Sequence, residues 1–131
     1  MKKKIRGGKK QKLALWRKNG IQKMAAHKAH RLGIRISHVC ARGTSALAFD
    51  GSGEVVRDVD NHSLCTFKTG KRYNCDLSAS YNIGARYFIR ELLKPLSEKE
   101  ASLIQAKVPE CGRRTSCTLD TLRKLTAELS A

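Results

Sequence analysis

Apolar residues recur at intervals of three and four between residues 77 and 92, the spacing that places side chains on one side of an α-helix. They are Leu77, Tyr81, Ala85, Phe88, Ile89 and Leu92. Arg86, Arg90 and Lys94 fall outside this stripe, and Pro95 cannot continue a helix. The pattern therefore predicts a helix that packs through its apolar side, exposes the three cations and ends near residue 94.

A second helix is predicted for residues 11–32. Its apolar stripe consists of Leu13, Trp16, Met24 and His27, with Ala14, Ile21, Ala25 and Leu32 beside it. The stripe continues across Asn19-Gly20, which is a turn signal, so one uninterrupted helix is favoured, with Gly33 as its C-cap. Residues 1–10 have little apolar surface to offset the entropy of ordering, so we expect a flexible basic arm there.

Short strands are predicted between the two helices. Residues 34–40 alternate as a strand, with Ile34, Ile36, His38 and Cys40 on one face. Two hairpins are predicted within residues 41–75, the first turning at Asp50-Gly51-Ser52-Gly53 and the second at Thr69-Gly70. The order helix, strand, two hairpins, helix predicts an α/β fold.

A helical tail is predicted for residues 95–131. Ser97 and Glu100 have the spacing of a capping box, so a short helix is expected from there to about Lys107, before Pro109. A last amphipathic helix is marked by Leu119, Leu122, Leu125 and Leu129. We expect both helices to serve as packing or partner surfaces.

The net charge of +16 is concentrated in the first part of the chain. Thirteen Lys or Arg residues lie between Lys2 and Arg35, and no acidic residue precedes Asp50. Such clustering is typical of proteins that bind the phosphates of nucleic acids. No stretch approaches the ~18 apolar residues of a membrane-spanning helix, and no signal peptide follows the basic start, so we expect a cytoplasmic protein.

Eight cations are the candidate nucleic-acid contacts. Four lie on the first predicted helix and four in the hairpin region: Lys12, Arg17, Lys18, Lys23, Arg42, Lys68, Lys71 and Arg72. Tyr73 could add a stacking ring. The alternative is that these side chains only keep a helix surface and exposed strand edges soluble.

Asp76 lies where a predicted strand meets the second helix. An aspartate there could cap the helix N-terminus, or it could bind magnesium, which prefers carboxylate oxygens. The five cysteines form no CxxC pair, so free thiols are expected. A metal site built from His38, Cys40, His62, Cys65 and Cys75 is the alternative.

The segment Asp76-Leu77-Ser78-Ala79-Ser80-Tyr81-Asn82-Ile83 resembles the D-x-N-A-A-x-N-I signature of TnpB proteins, transposon-encoded RNA-guided endonucleases related to type V CRISPR effectors. Ser78 replaces the usual Asn, and Ser80 replaces the second Ala. In that family the matching Asp is the third acidic residue of a RuvC-like nuclease site, and the resemblance implies this role for Asp76. It also implies that residues 11–94 form a partial RuvC (RNase H-like) lobe.

TnpB proteins carry a zinc-ribbon segment, the target-nucleic-acid-binding (TNB) part, which opens with a Thr-Ser pair similar to Thr44-Ser45. The resemblance places this insertion at residues 41–75. With both motifs in register, the usual zinc positions fall on residues that offer no thiolate: Ala48, Gly51, Thr66 and Thr69. A ribbon without zinc is therefore implied, and we expect its hairpins to be held by Leu47, Phe49, Val55, Val56, Leu64 and Phe67.

The resemblance implies DNA binding without cleavage by this chain alone. The family's first RuvC Asp and middle Glu lie on strands upstream of the first helix, where this chain has only its basic arm. Two-metal hydrolysis needs several carboxylates, so magnesium is expected only when an upstream RuvC portion completes the site, and no other cofactor is expected. A guide RNA and a separately encoded N-terminal TnpB portion are the further partners implied.

Two other functional classes stay open. The charge alone would suit a small basic structural RNA-binding protein, although such a protein has no reason to carry the motif at residues 76–83. A zinc-binding regulatory module is the second, and it would hold one tightly bound zinc ion per chain.

Overall fold

The computed structural model describes residues 7–131, with side chains from residue 19 onward. The chain divides into two compact units, Met1–His38 and Val39–Ala131, here called the helix unit and the main unit. Their elements define a mixed α/β protein in which the described residues form four α-helices and one three-stranded antiparallel sheet. The small sheet by itself does not identify a RuvC-like lobe.

The helix unit is built on α1, Gly7–Arg31. The predicted helix is confirmed and continues through Asn19-Gly20, as expected. It starts earlier than predicted, so the expectation of a flexible arm is wrong for residues 7–10, and the rest of that arm lies outside the described residues. At its end, Gly33 has a φ of 69°, and the Ile34 N–H donates to the Ala29 carbonyl over 2.8 Å, which is the Schellman arrangement.

The strand predicted for residues 34–40 is wrong, because these residues have no regular secondary structure. Ile34 and Ile36 are exposed. An alternating pattern becomes a strand only where a neighbouring strand pairs with its backbone, and the sheet of the described residues contains no strand that does so. The alternation was therefore not sufficient evidence for a strand.

The sheet of the main unit has the order β1, Val56–Arg57; β2, Leu64–Thr66; β3, Arg72–Asn74. The second predicted hairpin is confirmed: β2 and β3 pair with Cys65 opposite Tyr73, and Gly70 in the turn has a φ of 85°. The first predicted hairpin is reduced to one bridge between Leu47 and Glu54, after which β1 pairs with β2.

A small core lies under this sheet. Its buried members are Ala48, Cys65, Phe67 and Cys75, with Phe49, Val55 and Tyr73 packed against them. The expectation that hydrophobic residues hold the ribbon region is confirmed for Phe49, Val55 and Phe67. It is wrong for Val56, which is exposed on the edge strand β1.

The helix α2, Cys75–Leu93, follows β3 directly. Its N-cap is Asn74, whose Oδ1 accepts from the Leu77 N–H over 2.9 Å. Capping by Asp76 was therefore wrong, since Asp76 lies inside the first turn and is exposed. A carboxylate at that position interacts favourably with the helix dipole.

The buried face of α2 is rotated from the predicted one. Its buried residues are Cys75, Ser78, Asn82, Ala85, Arg86 and Ile89. Leu77, Tyr81 and Phe88 were expected in the core and are exposed, whereas Arg86 was expected in solvent and is buried. Hydropathy misassigns this face because Asn82 and Arg86 find backbone hydrogen-bond partners that a helical pattern does not reveal.

The tail helices complete the main unit. Both predicted helices are confirmed, as α3, Glu98–Lys107, with the Ser97/Glu100 capping box, and α4, Leu119–Ser130. A 3₁₀ helix, Pro109–Gly112, connects them. A second core joins α2 to the tail through Ala85, Ile89, Cys117 and Leu125, with partly buried apolar side chains of all three helices around them. None of the helices in residues 7–131 is both long and apolar enough to cross a membrane.

Candidate nucleic-acid interface

The first basic surface lies on α1. Lys23, His27 and Arg31 are four residues apart and share one side of the helix, with Lys28 beside them. All four side chains are exposed, and each charged residue from Lys23 to Arg35 is a cation. Lys12, Arg17 and Lys18 lie on the same helix, but their side chains are outside the described part of the chain. A polyanion would meet no carboxylate along residues 19–38.

The second basic surface is the β2–β3 hairpin. Lys68, Lys71 and Arg72 are exposed in or beside its turn. Arg72 is partly neutralised, because its Nη2 lies 2.9 Å from Asp58 Oδ2. Backbone N–H groups of Asn61 and Asp60 lower the pKa of Asp58, with Arg72 adding to the effect, so this carboxyl is charged at neutral pH. Lys68 and Lys71 are thus the better candidates for phosphate contacts.

Arg42 belongs elsewhere in the main unit. It is exposed in the loop before Thr44, and its carbonyl accepts a hydrogen bond from Arg86 on α2. The eight predicted cations are therefore divided among α1, the hairpin and this loop, and Arg42 is held by α2 rather than by the sheet.

Four aromatic rings, two of them in the hairpin, form a cluster that is here called the aromatic cluster. Its members are Phe49, Phe67, Tyr73 and Tyr81. The Phe49 ring centroid lies 5.5 Å from Phe67, 5.0 Å from Tyr73 and 5.3 Å from Tyr81, each in edge-to-face geometry. Lys71 Nζ lies 4.9 Å from the Tyr73 ring centroid and 5.2 Å from that of Phe49. This cation–π contact fixes a positive charge at the edge of the cluster.

Tyr81 is the exposed member of the aromatic cluster, with 41% of its surface accessible. Hydrogen bonding between the phenol groups of Tyr73 and Tyr81 raises the pKa of Tyr73, so the Tyr73 hydroxyl stays protonated well above neutral pH. The sequence suggested Tyr73 as a stacking ring but assigned Tyr81 to the core. The Tyr73 hairpin position and the start of α2 are adjacent in the chain, a signal that could have placed the two rings together.

Asn82 and Arg86 form a buried polar pair on α2, and sequence reasoning missed both. Asn82 is fully buried: its Nδ2 donates to the carbonyls of Thr44 and Leu47, and its Oδ1 accepts from the Leu119 N–H. Thr44 belongs to the Thr-Ser pair and Asn82 to the 76–83 motif, so the two segments that carry the resemblance are in contact.

Arg86 is 6% exposed and is surrounded by backbone carbonyls. Its Nη1 donates to Cys40 and Arg42, its Nη2 to Thr115 and its Nε to Cys117, over 2.6 to 3.0 Å. Burial lowers the pKa of the guanidinium from its ordinary value, which is high enough for the group to stay charged at neutral pH. The pair thus positions α2, the loop at residues 40–47 and the start of α4.

The four positions at which the resemblance would place zinc ligands lie in different surroundings. Ala48 is in the sheet core, Thr66 ends β2 and Thr69 lies in the turn after it. Gly51 lies against Asp120, so closely that an added Cβ would be 2.5 Å from the carboxylate. The turn that contains Gly51 is thus packed against α4 of the tail.

The cysteines are free thiols. Burial and the neighbouring Cys75 raise the pKa of Cys65 to about 11, so the Cys65 thiol stays protonated at neutral pH. Cys40 is exposed, whereas Cys65 and Cys75 are buried. Within residues 7–131, no three His, Cys, Asp or Glu side chains are grouped so that they could hold a metal ion.

Comparison with known proteins gives no significant match for this chain among protein-family models, curated proteins or solved structures.

Proposed function

We propose that the chain is a nucleic-acid-binding protein derived from a TnpB-like RNA-guided nuclease, and that it binds DNA without cleaving it. The observation that carries the proposal is the exposed, acid-free cationic surface of α1, supplemented by Lys68 and Lys71 on the hairpin. Two separate cationic surfaces give a nucleic acid several phosphate contacts, and each contact releases a condensed counterion.

The origin in a TnpB-like nuclease rests on the 76–83 motif and on its contact with Thr44 through Asn82. Asp76 would be the remaining third carboxylate of the RuvC-like site. It is the only acidic residue in the first turn of α2, and phosphodiester hydrolysis by two metal ions requires further carboxylates. A separately made N-terminal portion would supply them, with magnesium, and a guide RNA is compatible with the same basic surfaces.

The test measures affinity for a labelled DNA duplex over a range of salt concentrations. The substitutions Lys23→Gln, Lys28→Gln and Arg31→Gln together should weaken binding and lower the slope of log affinity against log salt by about 3, since each lost phosphate contact removes about 0.9. The matched control neutralises three exposed cations of the tail, Lys99, Lys107 and Arg123, and should leave the slope nearly unchanged.

Two results would contradict the proposal. An equal loss of slope in both triple variants would mean that net charge, and not α1, carries binding. DNA cut by the purified wild-type chain in magnesium or manganese, and left intact by Asp76→Asn, would mean that the chain is an active nuclease.

A further inference from the structure

The aromatic cluster combines three properties that phosphate binding does not require. It contains an exposed ring, Tyr81; a partly exposed ring, Tyr73; and a lysine, Lys71, held against the rings. Proteins that bind unpaired bases use this combination, because a ring accepts the flat face of any base while nearby cations hold the backbone.

The geometry of the rings leaves surface available for stacking. In an edge-to-face pair, one ring presents only its edge to the other, so the pair leaves ring faces uncovered. Tyr81 makes such a contact with Phe49, at an interplanar angle of 66°, and keeps 41% of its surface accessible. Phe67, in contrast, is buried in the sheet core, against which Phe49 and Tyr73 pack.

The positions of the cations are also suited to a single strand. Lys71 lies at the edge of the aromatic cluster, and Lys68 is exposed at the other side of the same turn. Gly70 between them, with its φ of 85°, holds the tight turn that brings both lysines to one end of the hairpin. Adjacent phosphates of a strand whose base rests on Tyr81 would meet these two charges.

Another aromatic residue on the same helix provides a useful contrast. Phe88 is more exposed than Tyr81, at 55%, but its ring lies against Tyr87 of its own helix, 5.1 Å between centroids, and it is not a member of the aromatic cluster. Exposure of a ring therefore does not by itself mark a stacking site, and the hairpin lysines distinguish Tyr81 from Phe88.

We propose that Tyr81, with Tyr73 and Lys71, forms a stacking site for unpaired bases, so that the main unit binds single-stranded nucleic acid through the hairpin end. This inference rests on the proposed function, because it specifies the form of nucleic acid that the main unit takes. It assigns base stacking to the hairpin, whereas α1 contributes phosphate contacts that do not distinguish single strands from duplexes.

The experiment compares variants of the full chain on a fluorescein-labelled oligothymidylate and on a duplex of the same length. Tyr81→Leu keeps an apolar side chain against Phe49 but removes the ring, and it should weaken single-strand binding about tenfold while leaving duplex binding unchanged. Tyr81→Phe keeps the ring and should bind like the wild type. Phe88→Leu is the matched control on α2 and should also bind like the wild type.

A second readout is decided by the wild-type chain, so its main result does not depend on the folding of any variant. A strand that carries 2-aminopurine should lose fluorescence when its base stacks on a tyrosine ring, and the same strand should respond weakly to the Tyr81→Leu protein. Unquenched 2-aminopurine on a strand that is bound would overturn the stacking site.

The outcomes separate the two proposals. If the protein binds both nucleic acids and Tyr81→Leu changes neither affinity, the stacking site is wrong and phosphate binding stands. If the wild-type chain binds neither probe at low salt, the proposed function itself is wrong, and the stacking site with it. If Phe88→Leu loses as much single-strand affinity as Tyr81→Leu, the assignment to the hairpin end is wrong.

Discussion

At the scale of single residues, Arg86 is a buried cation that binds segments before and after α2 in the chain. A charged side chain is rarely buried without a carboxylate partner, and here four backbone carbonyls take that place. These carbonyls belong to loops without regular structure, so the guanidinium satisfies acceptors that no sheet or helix ladder reaches. The side chain therefore stabilises the loops more than it stabilises α2.

Replacement of Arg86 by Met should destabilise the main unit by about 3 kcal/mol. The apolar side chain fills part of the space but leaves buried carbonyls without donors, each of which carries a desolvation cost. Urea unfolding followed by circular dichroism measures the change. Arg86→Lys should recover only part of the loss, because a single ammonium lacks the planar fork of donors that binds all four carbonyls.

The control for this prediction is Arg123→Met on α4, where the arginine is exposed. Its effect should stay within about 0.5 kcal/mol of the wild type, as for most surface positions. An equally small effect of Arg86→Met would contradict the role given to the buried guanidinium.

At the scale of elements, local signals predicted several of the points where helices and turns begin or end, although not the start of α1 or the N-cap of α2. The capping box at Ser97, the stop at Pro95, the C-cap at Gly33 and the turn at Thr69-Gly70 each act within a few residues, so the sequence pattern contains the necessary information. The prediction of a strand at residues 34–40 was wrong because strand pairing depends on a distant segment. The prediction of the buried face of α2 was wrong for the same reason, since the partners of Arg86 lie 29 to 46 residues away.

The capping box of α3 predicts a dependence of stability on acid. The Ser97 N–H donates to the Glu100 carboxylate over 2.8 Å, which lowers the pKa of Glu100 from its ordinary value of 4.5. A carboxyl whose pKa is lower in the folded state stabilises the fold above its unfolded pKa, and the contribution disappears as pH falls through the folded pKa. Glu100→Gln should therefore flatten the loss of stability below about pH 4.5.

Thermal unfolding at a series of pH values, for wild type and Glu100→Gln, measures this effect. Glu98→Gln changes a neighbouring carboxylate of the same first turn that does not bond to Ser97, and it should flatten the curve less. Identical pH profiles for wild type and Glu100→Gln would show that the box does not couple to protonation.

At the scale of the whole molecule, burial is unevenly distributed between the two units. Every buried side chain in the described part of the chain lies between Thr44 and Leu125, within the main unit. The helix unit has Ile21, Met24 and Leu32 exposed, and a helix without a buried apolar face has little stability of its own in water. The sequence shows a change in charge near this division, but the lobe predicted for residues 11–94 spans it. The rings and loops that define the candidate site depend on contacts across the main unit.

We therefore expect residues 39–131, made without the helix unit, to unfold at nearly the same temperature as the full chain. Circular dichroism of the full chain should show α1 losing helicity gradually below that transition, and saturating DNA should raise the temperature at which it does so. Differential scanning calorimetry of both proteins gives the comparison. A midpoint lowered by more than about 5 °C in the shorter protein would mean that the helix unit stabilises the rest.

The carbonyls bound by Arg86 precede α2 on one side and follow it on the other, so a single side chain closes two long loops at once. Asn82 joins the same two segments, since its side chain binds the carbonyls of Thr44 and Leu47 and the Leu119 N–H, so release of one loop weakens the contacts that hold the other. The tail should consequently not peel away as a separate step: hydrogen exchange of amides in α4 and in residues 40–47 should report one shared opening reaction, with equal free energies, rather than a graded series from the chain end inward.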